Sequence, residues 1–435
     1  MKKTLLPFLL AAVLASCGET GENEPPEPDY VTRADMEGVS LIYFVPDDGG
    51  TGNRLMTVDG EGNVEPFRFI TDQGNRVPSD TTGIRIYSGS RVGNDYMVLT
   101  GEFEIKDGQC DNLLVNIRTG ELTVSPSTFV AVFPQMPVFT DDSGKVYLMA
   151  NNNGQSGIFF FDFTYPDQPS VSMLSDGSSS VDGYWVNSDG ICFYRSGLVY
   201  SISLLYAGIH HVSALLPGDN DRDVTLFFGR NQKPYIAACS VDNMHLSIYE
   251  VSYEQEGSLE EGNLGWSFPP DMVEVARLDN QPIGPLGSST FCPIPQTGKH
   301  IFSSQHAGLI VFDEENETLT QEPDAGLPEL DMLQIVVRNA LVSSGALWIN
   351  GNGGQLSRMT ASGGYAAQPV DLSGEGYSID FTEVACLPDH DGLMAPALRS
   401  SDGQNVIIRI SDTGEVTELE HTATSAEISS LIRLD

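Results

Sequence analysis

The chain has 435 residues, of which 60 are Asp or Glu and 22 are Lys or Arg, so its formal net charge is −38 at pH 7. Such a charge repels polyanions and argues against nucleic acid as a partner. The hydrophobic content of 40% is that of a globular body. A body of about 400 residues exceeds one ordinary hydrophobic core, so several domains or a repeat are expected.

The N-terminus has the order of an export signal. Lys2 and Lys3 precede an apolar run over residues 5–14, and small residues then lead to Cys17. The run "LASC" resembles the bacterial lipoprotein signal, in which cleavage leaves the cysteine as the first residue and it is acylated. We therefore predict a signal peptide over residues 1–16, lipidation of Cys17, and membrane attachment through the lipid alone. An ordinary secretory signal with an incidental cysteine is the alternative.

Residues 17–36 are predicted to be a lipidated, disordered tether. From Gly18 to Asp29 the chain is rich in Glu and Pro and has no aliphatic or aromatic residue, so it cannot bury enough surface to fold. Its acid-rich start is similar to the tails that send lipoproteins of Bacteroidetes-type bacteria to the outer face of the outer membrane. The resemblance implies an outer membrane lipoprotein, on the cell surface or the periplasmic face. A spacer without a routing role is the alternative.

The rest of the chain, residues 37–435, predicts an all-β fold. Short apolar runs alternate with turns rich in Asp, Asn, Ser and Gly, as in "LMTVDGEGNVEPF", "LLVNIRTGELTV" and "VIIRISDTGEVTEL". Each is typical of a strand, a tight turn and a second strand. The runs seldom exceed eight residues, which is strand length, and almost nothing has helical period.

Grouping the strands by fours predicts a β-propeller. The opening strands of seven groups lie near residues 83, 137, 182, 224, 289, 336 and 383, a spacing typical of propeller blades. Three strands at the start lack an opener, and "EISSLIRL" at the end is an opener without followers. The interpretation is eight four-stranded blades, the last one split between the chain ends, which removes sheet edges. Seven blades, or a pair of sandwich domains, are the alternatives.

This layout resembles lipoprotein propellers of Bacteroidetes-type bacteria. The lipoprotein signal is the only specific motif of the resemblance, since the WD dipeptide, the regular kelch glycine pair and the tryptophan ring of quinoprotein propellers are absent from the sequence.

A ligand site is predicted on one face of the propeller. Turns joining strands one to two and three to four are short, whereas connections of the other class, such as "GEFEIKDGQC" and "RSSDGQN", are long and varied. Function tends to lie in long loops on a rigid scaffold. Aromatic, Arg and Asn residues near those strand ends are the predicted ligand contacts: Trp185, Arg195, Phe228, Arg230, Trp348, Asn350, Tyr377 and Arg399. The alternative is that both tryptophans belong to the core.

Only one segment of the sequence suggests a metal. Asp219, Asp221 and Asp223 alternate like the opening of a calcium loop, but Val224 and Arg230 stand where an EF-hand needs Gly and Glu. A looser calcium site or a solvated acidic turn remains, and no other cofactor is expected.

These observations favour binding over catalysis. No GxSxG, HExxH, P-loop or dinucleotide fingerprint occurs. We expect a lipid-anchored envelope propeller that binds a small molecule or glycan, plausibly a nutrient delivered to an outer-membrane importer. The alternatives are a polysaccharide lyase or hydrolase with carboxylates assembled in space, and a protein-interaction platform.

Overall fold

The computed structural model describes residues 29–47, 52–92, 95–106, 108–124, 131–132, 139–140, 146–152, 155–162, 170–173, 183–186, 190–195, 198–203, 208–215, 223–229, 233–240, 244–252, 255–256, 265–266, 271–279, 283, 291–294, 298–304, 308–322, 334–337, 346–350, 355–360, 368–380, 387–389 and 392–434. Between residues 131 and 228 the description covers the backbone alone. The fold is all-β, and no helix occurs among these residues.

The strands follow one another in the order that the alternating pattern predicts. The first are β1 (Val31–Ala34), β2 (Val39–Pro46), β3 (Asn53–Asp59), β4 (Val64–Pro66), β5 (Arg68–Thr71), β6 (Arg76–Pro78), β7 (Ile84–Val92), β8 (Tyr96–Ile105), β9 (Gly108–Asn116) and β10 (Leu122–Val124). They are followed by β11 (Ala131–Val132), β12 (Phe139–Thr140), β13 (Val146–Asn152), β14 (Gln155–Asp162), β15 (Ser170–Met173), β16 (Gly183–Val186), β17 (Gly190–Arg195), β18 (Leu198–Ser203) and β19 (Gly208–Leu215).

The second half continues in the same way. Its strands are β20 (Asp223–Phe228), β21 (Pro234–Cys239), β22 (His245–Ser252), β23 (Gln255–Glu256), β24 (Gly265–Trp266), β25 (Asp271–Asp279), β26 (Phe291–Ile294), β27 (Lys299–Ser304), β28 (Gly308–Asp313) and β29 (Thr318–Glu322). The last are β30 (Gln334–Val337), β31 (Ala346–Asn350), β32 (Leu356–Thr360), β33 (Gln368–Pro369), β34 (Tyr377–Ser378), β35 (Leu387–Asp389), β36 (Gly392–Arg399), β37 (Gln404–Ser411), β38 (Val416–Glu418) and β39 (Ser430–Arg433).

Successive strands pair as antiparallel neighbours, mostly in groups of four. The groups are β7-β8-β9-β10, β16-β17-β18-β19, β20-β21-β22-β25, β26-β27-β28-β29 and β30-β31-β32-β33. Two further sheets, β11-β13-β14-β15 and β34-β36-β37-β38, each carry one extra short strand. The predicted openings near residues 83, 182, 224, 289 and 336 fall at the first strand of such a group.

The two ends of the chain are hydrogen-bonded in one sheet. Strand β39 pairs with β2 over four residues, from Leu41 opposite Arg433 to Phe44 opposite Ser430. Strands β2, β3 and β4 continue this sheet. A single residue pair, Asn53 with Ile86, joins it to β7.

Neighbouring sheets share hydrophobic cores, and β2 shows how. Its residues alternate between two clusters, because successive side chains of a strand point to opposite faces. Ile42 and Phe44 pack with β7, β8 and β9, whereas Leu41, Tyr43 and Val45 pack with β36, β37 and β39. Burial on both faces explains why "LIYFV" is continuously apolar. Further clusters join β21 and β22 to β27 and β28, and join β31 and β32 to β36 and β37.

The short turns form for local reasons that the sequence displays. Asp59 Oδ1 accepts hydrogen bonds from the backbone N of Glu61 and Asn63, both at 2.8 Å. In the same way, Asp313 Oδ1 accepts hydrogen bonds from the backbone N of Glu315, at 3.0 Å, and of Asn316, at 3.3 Å. An Asp side chain that satisfies its own turn in this way fixes the hairpin register. The predicted hairpins at "VDGEGNV", "NIRTGEL" and "ISDTGEV" are confirmed.

The folded body begins earlier than the predicted boundary at residue 37. Strand β1 pairs with β5, which pairs with β6, and the side chains of Val31 and Ala34 are buried. Residues 29–36 therefore belong to the body, because Val31 and Ala34 supply the apolar surface that the preceding residues lack. The predicted signal peptide and the rest of the tether lie outside the described residues.

Candidate functional site

A groove opens at the end of the sheet β7-β8-β9-β10 where the β8–β9 hairpin turns. Its volume is about 230 Å³, and it lies beside "GEFEIKDGQC". The prediction of a long connection there is wrong, because β8 runs to Ile105 and β9 begins at Gly108, so nearly all of this segment is strand. Its walls are the start of β7, the end of β8 and the start of β9. The lining residues are Gly83, Ile84, Arg85, Glu102, Phe103, Glu104, Gln109, Cys110 and Asp111.

An irregular strand end shapes the groove. The register between β8 and β9 shifts between Thr100 and Phe103, a bulge that re-aims the side chains beyond it. At Gly101 a Cβ would lie 2.0 Å from the backbone O of Arg85, so β7 and β8 can approach this closely only because residue 101 has no side chain. Phe103 is buried in the hydrophobic core beneath the groove and forms part of the groove floor.

One of the three carboxylates in the groove is fully engaged. Glu102 Oε2 lies 3.0 Å from Arg85 Nη1, and its Oε1 accepts a hydrogen bond of 2.5 Å from the Tyr87 hydroxyl. The contact with Tyr87 and the charge of Glu102 raise the pKa of the Arg85 guanidinium, and the hydrogen bond to Glu102 raises the pKa of Tyr87. The ring of Tyr87 is exposed beside the groove.

The remaining polar side chains are available to a ligand. Within the described part of the chain, Glu104, Gln109 and Asp111 make no side-chain hydrogen bond or ion pair, and all three are exposed. They offer carboxylate acceptors and an amide that both donates and accepts. The groove can therefore bind a ligand rich in hydroxyl or ammonium groups.

Cys110 is a half-buried free thiol in the same groove. Burial raises the pKa of the thiol, and the negative charge of Asp111 adds to the effect. The thiolate is the nucleophilic form, so this cysteine is not activated for covalent chemistry.

Two of the predicted ligand contacts, Tyr377 and Arg399, lie opposite each other on β34 and β36 and share a carboxylate. The Tyr377 hydroxyl donates to Glu418 Oε2 at 3.0 Å, and Arg399 Nη1 donates to Glu418 Oε1 at 2.6 Å. Arg399 also binds both oxygens of Asp402, at 3.0 and 2.7 Å. These bonds raise the pKa of Arg399, and Arg399 lowers the pKa of Asp402. An anionic ligand would have to compete with two carboxylates for Arg399.

The structure corrects the prediction for Trp348. Its side chain is fully buried and packs with Leu356, Leu393 and Ile408, because the indole fills the core that the sheet of β31 shares with the sheet of β36 and β37. A ligand bound at the surface therefore does not contact the indole of Trp348, and the prediction of a ligand contact there is wrong. Asn350, two residues along the same face of β31, is half-buried. Among the described residues, neither Trp348 Nε1 nor Asn350 Oδ1 has a hydrogen-bond partner.

The other predicted residues lie where no side chain is described. Trp185, Arg195, Phe228 and Asp223 are on β16, β17 and β20, of which only the backbone is described. Cys17, Asp219, Asp221 and Arg230 lie outside the described residues. The predicted roles of these eight residues therefore stay predictions.

A buried histidine–carboxylate hydrogen bond joins β27 to the β28–β29 turn, which belongs to the opposite class of turns. His300 Nε2 is 2.6 Å from Glu314 Oε1, and their side chains are 0% and 8% exposed. Burial lowers the pKa of His300, although the hydrogen bond and the charge of Glu314 oppose the shift. The neighbouring sheet contributes Gly229, where a Cβ would lie within 2 Å of Glu314 Oε1. This pair is enclosed by protein and is not a ligand site.

Two kinds of feature were sought in the described residues and not found. No group of three His, Cys, Asp or Glu side chains could hold a metal ion there. Among the same residues, no helix has the length and apolar character needed to cross a bilayer.

No protein-family model matches the chain, and no curated protein is similar to it in sequence. Solved structures with a similar arrangement include apo AztD from Citrobacter koseri, with a TM-score of 0.45, 10% identity and coverage of 91% of this chain and 98% of that one. Another is a mutant puromycin hydrolase, with a TM-score of 0.44, 11% identity and coverage of 80% of this chain and 55% of that one. The chain thus spans about half the length of that hydrolase.

A third neighbour is Chaetomium thermophilum Sqt1 bound to the N-terminus of ribosomal protein L10, with a TM-score of 0.37, 14% identity and coverage of 90% and 99%. These neighbours are β-propeller-type proteins. Because every one of these TM-scores is below 0.5, the fold rests on the strand pairing described above.

Proposed function

We propose that this protein is a lipid-anchored β-propeller of the cell envelope that captures a glycan, or another polar nutrient, in the groove beside the β8–β9 hairpin. The ligand would then pass to an outer-membrane importer. The observation that carries the proposal is the groove itself, in which Glu104, Gln109 and Asp111 are not engaged by the described protein and the exposed Tyr87 hydrogen-bonds Glu102 in one wall.

The chemistry of the groove suits a sugar. Carboxylates and amides accept and donate hydrogen bonds to hydroxyl groups, and an exposed aromatic ring offers an apolar face for a pyranose. The groove volume of about 230 Å³ lies just below the usual range of small-molecule sites, so a glycan would place only part of itself there. The ion pair between Arg85 and Glu102 holds one wall in place.

The proposed architecture is eight blades with a split closing blade, and seven blades remain the alternative. Its support is the pairing of β39 with β2 and the core that joins β2 to β36 and β37. If the ring closes in this way, deletion of residues 427–435 should destabilise the whole body. An unchanged melting temperature would contradict the split blade.

The anchor is proposed from the sequence "LASC" at residues 14–17. When cells are grown with radioactive fatty acid, the parent protein should become radioactive, whereas a Cys17→Ser variant should remain unlabelled. Labelling of that variant would contradict lipidation at Cys17.

The binding test is calorimetry or a glycan array with the mature chain. A double Glu104→Gln and Asp111→Asn variant should weaken binding about ten-fold or more, since hydrogen bonds to charged groups contribute about 1.5–3 kcal/mol each. Glu427→Gln, which changes an exposed acid on a different segment, is the matched control. Equal loss in both variants, or none in either, would contradict the groove as the site.

The same experiment distinguishes ligand capture from the enzymatic alternative. Carboxylates in one groove could also act as the acid and base of a glycoside hydrolase. A bound oligosaccharide recovered shortened would favour the lyase or hydrolase, whereas recovery of the intact ligand favours capture. Binding of proteins alone would favour the interaction platform.

A further inference from the structure

Two side chains on β31 carry polar atoms that are closed to bulk solvent. Trp348 is 0% exposed, and its Nε1 has no hydrogen-bond partner within the described part of the chain. Oδ1 of Asn350, the last residue of the strand, likewise has none there. An indole nitrogen only donates a hydrogen bond, and an amide oxygen only accepts one. Because buried polar atoms are normally paired with protein or with ordered water, a partner for both is expected.

The two atoms lie on the same face of β31. Residues two apart on a strand point to the same side, and their Cα atoms are about 7 Å apart at the usual rise. The pairing of β31 with β32 is regular from Ala346 to Asn350. Leu356, which lies opposite Asn350 in that pairing, packs in the same hydrophobic cluster as Trp348. The side chain of Asn350 therefore enters this cluster beside the indole.

The described neighbours of the indole do not supply the missing acceptor. Leu393 and Ile408 of the adjacent sheet are aliphatic. Arg358 lies opposite Trp348 on β32, but a guanidinium only donates, and its Nη1 donates to the backbone O of Asp412. The missing group must accept one hydrogen bond and donate another, which is the chemistry of a hydroxyl. One oxygen atom with a bond of about 2.9 Å to each side chain fits between them.

We propose that one internal water molecule bridges Trp348 Nε1 and Asn350 Oδ1, accepting from the indole and donating to the amide. Internal waters bind two to four polar groups, and these side chains supply two. Water is the hydroxyl that fits, because the hydroxyl of a larger solute would bring its carbon frame into a core where the indole is fully enclosed. Asn350 is half-buried, so exchange of this water with solvent passes the end of β31.

The indole proton of Trp348 provides the test. The chain has three tryptophans, so the mature chain labelled with indole ¹⁵N gives three indole signals, and Trp348→Phe identifies the one from Trp348. We expect that proton to show a nuclear Overhauser cross-peak to water, with the opposite sign in the rotating frame, which marks direct contact rather than proton exchange. A parent protein without this cross-peak would overturn the proposal.

Variants of Asn350 test the bridge itself. Asn350→Leu removes the acceptor and should abolish the cross-peak, whereas Asn350→Asp keeps an oxygen there and should retain it. Ile349→Val, on the opposite face of β31, is the matched control and should leave it unchanged. A cross-peak that persists in Asn350→Leu would contradict the bridge. If that variant does not fold, a crystal structure of the parent decides, since a bridging water must lie within about 3.2 Å of both atoms.

Discussion

Two contacts between a basic side chain and a carboxylate have the same length of 2.6 Å but stand in opposite environments. His300 and Glu314 lie between two sheets at 0% and 8% exposure, whereas Arg399 and Glu418 lie near a hairpin end at 25% and 21%. Water screens the second pair and not the first. Distance alone therefore does not rank the two contacts, and the environment decides which one the fold depends on.

The largest effect is expected from breaking the buried pair. His300→Ala should lower the free energy of unfolding by about 3 kcal/mol, because it removes a buried imidazole and its hydrogen bond to the Glu314 carboxylate in the interior. Denaturant unfolding followed by fluorescence measures this. Lys299→Ala, on the adjacent exposed position of β27, should have little effect. Comparable losses in the two variants would contradict the ranking by burial.

Crowding the buried pair should have a smaller effect. A Cβ at residue 229 would collide with the Glu314 carboxylate, so Gly229→Ala should cost about 1–3 kcal/mol through displacement of the pair. Gly60→Ala is the control, because a Cβ there meets no atom within 4 Å. A Gly229→Ala variant as stable as its parent would show that the neighbouring sheet does not confine Glu314.

Acid should lower the stability of the folded state through His300 before it does so through Asp402. The pKa of His300 is lowered in the folded protein, so the unfolded chain takes up the proton first as the pH falls below about 6.5. The free energy of unfolding should therefore decrease from pH 7 through this window, and His300→Gln should have a shallower pH dependence than the parent. Asp402, whose pKa is lowered, contributes stability that is lost only at more acidic pH. Parallel pH profiles for the two proteins would contradict the assignment to His300.

The smallest effect is expected at the exposed cluster. Arg399→Ala should change the melting temperature by no more than about 2 °C, because partly exposed ion pairs contribute little. The Tyr377 pKa, raised by burial and then by its hydrogen bond to Glu418, provides a local readout by ultraviolet titration. A large loss of stability in this variant would place Arg399 with the buried pair.

The sequence predicts the local part of this structure well. Turns such as Asp59–Asn63 carry their own hydrogen bonds, so hairpins and the grouping by fours follow from short segments. The predicted tether runs through residue 36, although residues 29–36 are part of the folded body. Their partners, such as Phe69 in β5 and Gly120 in the β9–β10 turn, lie far along the chain. No local pattern could reveal that pairing.

The candidate site is less predictable than the fold. Trp348 and Arg399 are typical anchor residues, but only the structure shows that the first is core and the second is already paired. Glu104 and Asp111 are two acids among 60, and only the structure shows that they line the same groove. The sequence predicts a long loop at "GEFEIKDGQC", but the structure pairs most of it as the ends of β8 and β9, so the prediction points to the right segment for the wrong reason.

The junction of the chain ends also constrains how the protein is made. Arg91 binds the backbone of Arg433 across 342 positions, and β2 has no partner on one side until β39 arrives. The first sheet to leave the ribosome is therefore the last to be finished, and its open edge can pair with other chains in the meantime. Such long-range closure is slow, so protection of this edge during biogenesis becomes a requirement of the fold.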